Sequence, residues 1–277
     1  MIGQPVLVLG ATGRIGRVLR QCWAGQGDIL WQSRRPQEGA GWAVVSPLDD
    51  PGALRDAASG RQILCLAGSV PSRGGPMDDN IRLVEAALQS ADPGARVLLT
   101  SSAAVYGAGS GPLPETSALA PANGYGRAKA AREAAAARLA AARGVRACAL
   151  RIGNIAGLDA ALGGWHPGFR LDSFPDGATP RRSYIGLCTL ARVLAALLNA
   201  PELPPVLNVA APGTIEMGEL LNAAGCECRL RPAPQEAIAR VELDVRLLTA
   251  LLPEGLLSAA DAAAMVREWS SLEPVLS

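Results

Sequence analysis

Val6-Leu-Val-Leu9-Gly10-Ala-Thr-Gly13-Arg-Ile-Gly16 joins a short, wholly apolar run to a glycine-spaced loop and then to a helical pattern. An uninterrupted apolar run of this length suits a strand buried on both faces. In the segment that follows, Ile15, Val18, Leu19 and Cys22 fall on one side of a helix. Glycines at the junction allow a tight turn and close approach of backbone, and the helix start offers N–H groups to an anion. In this strand–loop–helix context the three glycines form a seat for the pyrophosphate of a dinucleotide. Without the context they read as an ordinary glycine-rich turn.

The alternation continues along the chain. Further strands are expected at 29–31, 43–45, 63–66, 97–99 and 145–152, with a short helix from Pro51 and a longer one over 77–90. A Gly- and Pro-rich loop covers 68–76, and an Ala-rich helix runs from Tyr125 to Arg143, where Gly144 ends it. Between 156 and 183 the periodicity is lost among Gly, Pro, Trp165, His166, Phe169 and Phe174. A helix at 187–199, a strand at 207–210 and a helix at 217–224 follow, then a strand and two or three short helices over 229–277. Strands apolar on both faces that alternate with helices predict an α/β fold with a doubly wound parallel (Rossmann) sheet. The dinucleotide-binding domain is expected over 1–155, with return elements near 185–211, and the small C-terminal substrate-binding region over 156–277.

Composition sets broad bounds. The chain has 277 residues, 49% hydrophobic and 18% charged, with a formal net charge of +1, so a sizeable core is expected and nucleic acid is not an expected partner. Arg residues interrupt every Ala/Leu-rich stretch and the opening Met-Ile-Gly-Gln-Pro has no basic leader pattern, so no membrane association and a cytoplasmic location are expected. The six cysteines are scattered and read as reduced, and Cys226-x-Cys228 is not zinc spacing. His166 is the only histidine, which disfavours His-based triads and His-rich metal sites, and no metal is expected.

Tyr125 and Lys129 are four residues apart on the predicted Ala-rich helix and therefore share a face. A phenol ordinarily titrates near ~10, and an adjacent ammonium favours the phenolate, so the pair is a usable acid/base. The alternative is an exposed Tyr and Lys on a surface helix. Ser102 closes the strand before that helix, at the carboxyl edge where ligands bind in such sheets. At the end of the second strand stands Gln32-Ser33-Arg34-Arg35, with no carboxylate before Glu38. An NAD site usually has an acid there, whereas a hydroxyl and guanidinium groups suit a 2′-phosphate, so NADP(H) is expected over NAD(H), with NAD possible.

Together Gly10-x-x-Gly13-x-x-Gly16, Ser102-Ala-Ala-Val105-Tyr106-Gly107 and Tyr125-x-x-x-Lys129 resemble the extended short-chain dehydrogenase/reductase family, with its nucleotide-sugar epimerases, dehydratases and reductases. Asn80, Glu115, Pro121, Arg151-x-x-Asn154-x-x-Gly157, Arg182-Ser-Tyr184-Ile185 with Leu190-Ala191, and Leu207-Asn208-Val209 match in pattern, so the resemblance spans roughly residues 5–225. It implies a mechanism with Tyr125 as general acid/base, Ser102 orienting the reacting oxygen and Lys129 binding the nicotinamide ribose. It also implies cofactor contacts from Gly10, Thr12, Gly13, Arg14, Ile15, Gly16, Ser33, Arg34, Leu48, Ala67, Gly68, Tyr125 and Lys129, and substrate contacts from Asn154 and Arg182. In relatives the helices corresponding to 77–90 and 125–143 form a two-fold bundle, so a homodimer is expected.

Departures from the family pattern narrow the expectation. Dehydratases carry an acidic pair where this chain has Ala103-Ala104, which disfavours water elimination. Pro47 replaces an adenine-contacting Asp, and Gly186 and Thr189 stand where the family has a His and an acid that anchor the second domain. The resulting expectation is an oxidoreductase acting on a keto or hydroxyl group of a sugar or nucleotide-sugar. The alternatives are an epimerase that holds its cofactor tightly and a non-catalytic NADP-sensing regulator. Trp165, His166, Phe169 and Phe174 are open to two readings, an aromatic lid or a loop pinned to the core.

Overall fold

Why apolar strands alternate with helices is answered by a parallel sheet covered on both faces. The computed structural model describes residues 2–68, 79–109 and 111–276. Positions 69–78, which include most of the predicted Gly/Pro loop and the start of the predicted 77–90 helix, lie outside the described residues. The first half of the chain runs β1 (Val6–Leu9), α1 (Arg14–Cys22), β2 (Ile29–Ser33), β3 (Trp42–Val44), α2 (Pro51–Ala58), β4 (Gln62–Cys65), α3 (Asp79–Ser90) and β5 (Arg96–Ser102). A single 3-10 turn (Ala103–Val105), β6 (Pro112–Leu113), α4 (Gly124–Arg143) and β7 (Arg146–Ile152) follow.

Beyond them come β8 (Asn154–Ile155), β9 (Arg170–Ser173), β10 (Arg181–Arg182), β11 (Tyr184–Ile185), α5 (Leu187–Asn199), β12 (Val206–Val209), β13 (Ile215–Glu216) and α6 (Met217–Ala223). The chain closes with β14 (Arg229–Pro232), β15 (Arg240–Leu243), α7 (Arg246–Leu251) and α8 (Ala262–Leu276).

Seven strands form the central sheet in the order β12-β7-β5-β4-β1-β2-β3, and every neighbouring pair is parallel. The order reverses between β1 and β4, which opens a crevice at the carboxyl ends of those strands, the usual ligand seat of such sheets. Alternation of side chains divides the core in two. Val6, Val8, Leu64, Leu98 and Leu150 pack on the side of α1 and α5, in one cluster with Leu19, Leu190 and Leu194. Leu7, Leu9, Ile63, Val97 and Leu99 pack on the other side, with Leu54, Val84, Leu88 and Ala136 of the opposing helices. Each fully buried Leu or Val contributes roughly 1.5–3 kcal/mol, so the sheet is held from both faces.

The segments without sequence period form short pieces. A four-stranded sheet runs β13-β10-β15-β6, and two-stranded ladders join β11 to β8 and β14 to β9. They pack on α6 and α8 through Leu171, Tyr184, Leu220, Leu221 and Met265. Strands of two to four residues are too short to leave a readable alternation, which is why the sequence showed only a loosened pattern there.

The anchoring expected to weaken at Gly186 and Thr189 is made in another way. Gly186 is the N-cap of α5 and has no side chain to accept a hydrogen bond. Glu268, from α8, takes that role: it accepts from the Thr189 backbone N at 3.0 Å and from Thr189 Oγ1 at 2.6 Å. A β-carbon on residue 186 would lie 2.2 Å from Glu268 Oε2, so glycine there is the condition for this cap. The carboxylate also meets the positive end of the helix dipole. We expect Glu268→Ala to lower unfolding free energy by about 1–2 kcal/mol, the range of a lost N-cap. Urea denaturation checks this, and an unchanged midpoint would show that the contact contributes nothing.

Candidate active site

The glycine loop meets the crevice as a compact cradle. Gly10 adopts φ +80°, and a β-carbon there would lie 2.8 Å from Ala67 N, so glycine alone allows β1 and the end of β4 to approach this closely. At Gly16 a β-carbon would meet Ala11 O at 2.4 Å, which would push α1 off its strand. The N-cap of α1, Gly13, makes no side-chain cap bond, and the first turn of the helix (Arg14, Ile15 and Gly16) lines the cavity. The N–H groups of such a turn are the donor set that a pyrophosphate requires.

A second set of elements brings Tyr125 to Ser102. Asn123 caps α4, its Oδ1 accepting from Gly126 N at 2.9 Å. A β-carbon on Gly126 would lie 2.3 Å from Ala104 O, so the glycine after the tyrosine lets the start of α4 rest on the turn after β5. The Tyr125 and Ser102 side chains line the same wall of the cavity, with the Ser102 hydroxyl near enough to favour the phenolate. Lys129, one turn further, is buried, donates to Thr100 O at 3.3 Å and places its Nζ 5.6 Å from the centre of the Tyr125 ring.

Burial is the dominant influence on both groups. It pushes the Tyr125 phenol above its usual range, against the Ser102 hydroxyl and the positive charges of Arg132 and Arg14. Lys129 is lowered to about 7, first by burial and then by the guanidinium of Arg132, with Cys65 and Glu133 opposing. The expected lowering of the phenol by a neighbouring ammonium is therefore corrected: desolvation outweighs the nearby positive charges.

A cavity of about 610 Å³ unites most of the predicted residues: Gly10, Gly13, Arg14, Ile15, Gly16, Gly68, Ser102, Tyr125, Lys129, Asn154 and Arg182 all line it. Arg14 reaches across its mouth, Nη1 donating to Leu158 O at 2.8 Å. Thr12, Ser33, Arg34, Leu48 and Ala67 do not line it. Thr12 and Arg34 are exposed, and buried Ser33 accepts from Arg35 N at 3.2 Å. Leu48 faces a separate hollow with Pro47, Arg55 and Arg82. Ala67 accepts through its carbonyl from Arg132 Nη1 at 2.9 Å.

On the substrate side, Asn154 lies beside Tyr184, whose hydroxyl donates to Asp159 Oδ2 at 2.7 Å. Arg182 turns onto backbone: Nη1 donates to Arg181 O at 2.7 Å and Nη2 to Ile238 O at 2.8 Å. Trp165, His166, Phe169 and Phe174 do not line the cavity. Trp165 and Phe169 pack with the α6/α8 cluster, so the pinned-loop reading holds and the lid reading does not.

Sequence reasoning missed several supporting residues. Gln32 accepts from Gly10 N at 2.9 Å and donates to Val45 O at 2.7 Å, fixing the glycine loop to β2 and the strand end beyond β3. Glu133 takes Arg151 Nη2 at 2.8 Å and also accepts from Ser101 Oγ, while Arg151 Nη1 donates to Tyr106 Oη at 2.8 Å. The spacing of Glu133 four residues after Lys129 was the available signal. Nothing local pointed to Asp159 or Arg132. Among the described residues no group of three or more His, Cys, Asp or Glu is placed to hold a metal ion, and no helix is long and apolar enough to cross a membrane.

A parallel sheet with a glycine-loop crevice, lined by Ser102 from the end of β5 and by Tyr125 and Lys129 from α4, has the architecture of the extended short-chain dehydrogenases. The family model of the NAD dependent epimerase/dehydratase family matches residues 6–162, and the chain belongs to that family. A search among curated proteins returned no match. Among solved structures, MoeE5 in complex with UDP-glucuronic acid and NAD is similar at 22% identity and a TM-score of 0.74, with 97% of this chain and 99% of that one covered. UDP-glucose-4-epimerase from Stenotrophomonas maltophila, with bound NAD and formylated UDP-arabinopyranose, is similar at 20% identity and a TM-score of 0.77, covering 99% and 100%. UDP-glucose 4-epimerase from Brucella ovis, in complex with NAD, stands at 21% identity and 0.78, covering 96% and 97%. At these identities the likeness is one of fold.

Proposed function

We propose that the protein is a nicotinamide-dinucleotide-dependent oxidoreductase that acts on a keto or secondary hydroxyl group of a sugar or nucleotide-sugar. The observation that carries this reading is the convergence of Ser102, Tyr125, Lys129 and the glycine loop on one cavity. The division of labour we infer puts the dinucleotide on the seven-stranded unit and the substrate under the segments after residue 155. Gly10, Gly13 and the first turn of α1 hold the pyrophosphate, and Lys129 reaches the ribose. Bound there, the dinucleotide supplies or accepts a hydride.

Tyr125 gives a proton to the substrate oxygen or takes one from it, and Ser102 keeps that oxygen in line. A phenol held above its usual range is protonated at neutral pH, which suits it to donate during ketone reduction. Ala103 and Ala104 line the cavity without a titratable group, so they give no proton relay for water elimination. A second reading, an epimerase that returns the hydride to the same substrate, is supported by the 4-epimerases among the solved relatives.

We infer NADP(H) over NAD(H). The end of β2 holds no carboxylate, Gln32 is occupied by Gly10 and Val45, and Arg34 and Arg35 are exposed where a 2′-phosphate would lie. The solved relatives carry NAD, which makes the comparison a sharp one. NADPH is expected to bind at least about tenfold more tightly than NADH, a difference of about 1.4 kcal/mol. Fluorescence titration measures it, and tighter NADH binding overturns the inference. The same reading includes a homodimer through the outer faces of α3 and α4, with light scattering expected to give twice the chain mass and a monomer mass refuting it.

Tyr125→Phe removes only the acid/base oxygen. It is expected to lower turnover of keto-sugars at least about 10²-fold while dinucleotide affinity changes little. Nicotinamide absorbance follows net reduction, and product analysis follows isomerisation. Full activity of the variant by either readout would end the assignment.

A further inference from the structure

Arg132 lies three residues beyond Lys129 on α4 and is fully buried. Nη1 donates to Ala67 O at 2.9 Å, and Nη2 to Cys65 O at 3.4 Å and Cys65 Sγ at 3.2 Å. Its Nε has no hydrogen-bond partner among the described residues, and none of their carboxylates forms an ion pair with it. The neighbouring acid, Glu133, is occupied by Arg151 and Ser101. Among the described residues no carboxylate offsets this buried cation, and a neutral donor would tie α4 to the end of β4 with less desolvation. The charge itself therefore needs a use.

The position of the guanidinium supplies one. A β-carbon on Gly68 would lie 2.9 Å from Arg132 Nη1 and 3.7 Å from Lys129 Nζ, so both cations face one spot on the cavity wall. Other groups set around Lys129 are Tyr125 and Glu133 of α4, Cys65 of β4 and the Thr100 carbonyl of β5. Asn80 of α3 stands at the same Gly68 spot. Of the charged ones, Glu133 is paired with Arg151 and opposes the lowering of Lys129, while Arg132 is the fixed positive charge beside the lysine.

We propose that Arg132 is a positioning residue, a permanent positive charge behind the Tyr125–Lys129 pair that makes dinucleotide binding depend on proton uptake by Lys129. In the empty site the two cations repel and burial is unrelieved, so Lys129 titrates at about 7. An arriving dinucleotide brings a negative pyrophosphate and ribose hydroxyls that accept from an ammonium, so the protonated lysine binds it better. Affinity for NADH is then full below the empty-site pKa and falls as pH rises through it, by up to about tenfold per unit. The inference rests on the ribose-binding role given to Lys129 above.

NADH titrations between about pH 6 and about pH 9 test it, because the phosphates of NADH do not titrate there. Wild-type affinity is expected to fall with an inflection near 7, and Lys129→Met is expected to flatten the profile. Arg132→Met removes the repulsion, so the inflection moves up by about one unit or more, whereas Arg132→Lys keeps a charge and leaves it near the wild-type position. An Arg132→Met inflection coinciding with wild type overturns the role of Arg132 alone. A flat wild-type profile overturns the proton linkage, even where the Arg132 variants fail to fold. A Lys129→Met protein with the wild-type profile overturns the ribose-binding role of Lys129.

Discussion

The buried pair of Glu133 and Arg151 is the constraint on which the active-site arrangement depends. It joins the helix that carries Tyr125 and Lys129 to the strand that leads to Asn154, and both side chains are at most 7% exposed. Both carboxylate oxygens of Glu133 and all three guanidinium nitrogens of Arg151 are engaged. Ser101 donates to Glu133, Tyr106 accepts from Arg151, and Tyr106 in turn donates to Asn208 Oδ1 at 2.8 Å. Asn208 N donates to Glu115 Oε1 at 2.9 Å, which brings the loop before α4 into the same network. A buried pair satisfied to this degree adds little net stability over an apolar substitute, but removing one member costs about 3–5 kcal/mol. Its value is in geometry: β5, β7, β12 and α4 are fixed together, and Ser102 and Tyr125 are adjacent to fixed points.

Close contacts of backbone with backbone complete the positioning. At Gly16 and Gly126 any side chain would overlap a carbonyl oxygen, Ala11 O in one case and Ala104 O in the other. The first contact sets the distance from α1 to β1, the second that from α4 to the strand end bearing Ser102. The glycine loop and Tyr125 are thus located by the same device, a helix allowed a close approach because one residue has no β-carbon.

These features differ in how far they could be read from sequence. Gly10, Gly13, Gly16, Tyr125 and Lys129 were legible because the constraint is local: one turn, one helix face, one strand end. The seven-stranded sheet was legible for the same reason, each strand being a short apolar run between helical patterns. Arg182 was not, because its engagement depends on the backbone of Ile238 and Ala239, more than fifty residues away in sequence. The phenol of Tyr125 was misread for a related reason. Spacing shows that an ammonium is near, but only the fold shows how completely both groups lose water. Leu48 occupies a hollow of its own because the turn after β3 carries it toward α2 and α3.

The cap on α5 has a bearing on how the chain is made. Glu268 and Thr189 are separated by 79 residues, yet α5 covers the first-formed half of the sheet. During synthesis the leading turn of that helix lacks its acceptor until a segment 79 residues further along the chain has been made. Capping of α5 is thereby a long-range closure of the kind that slows folding.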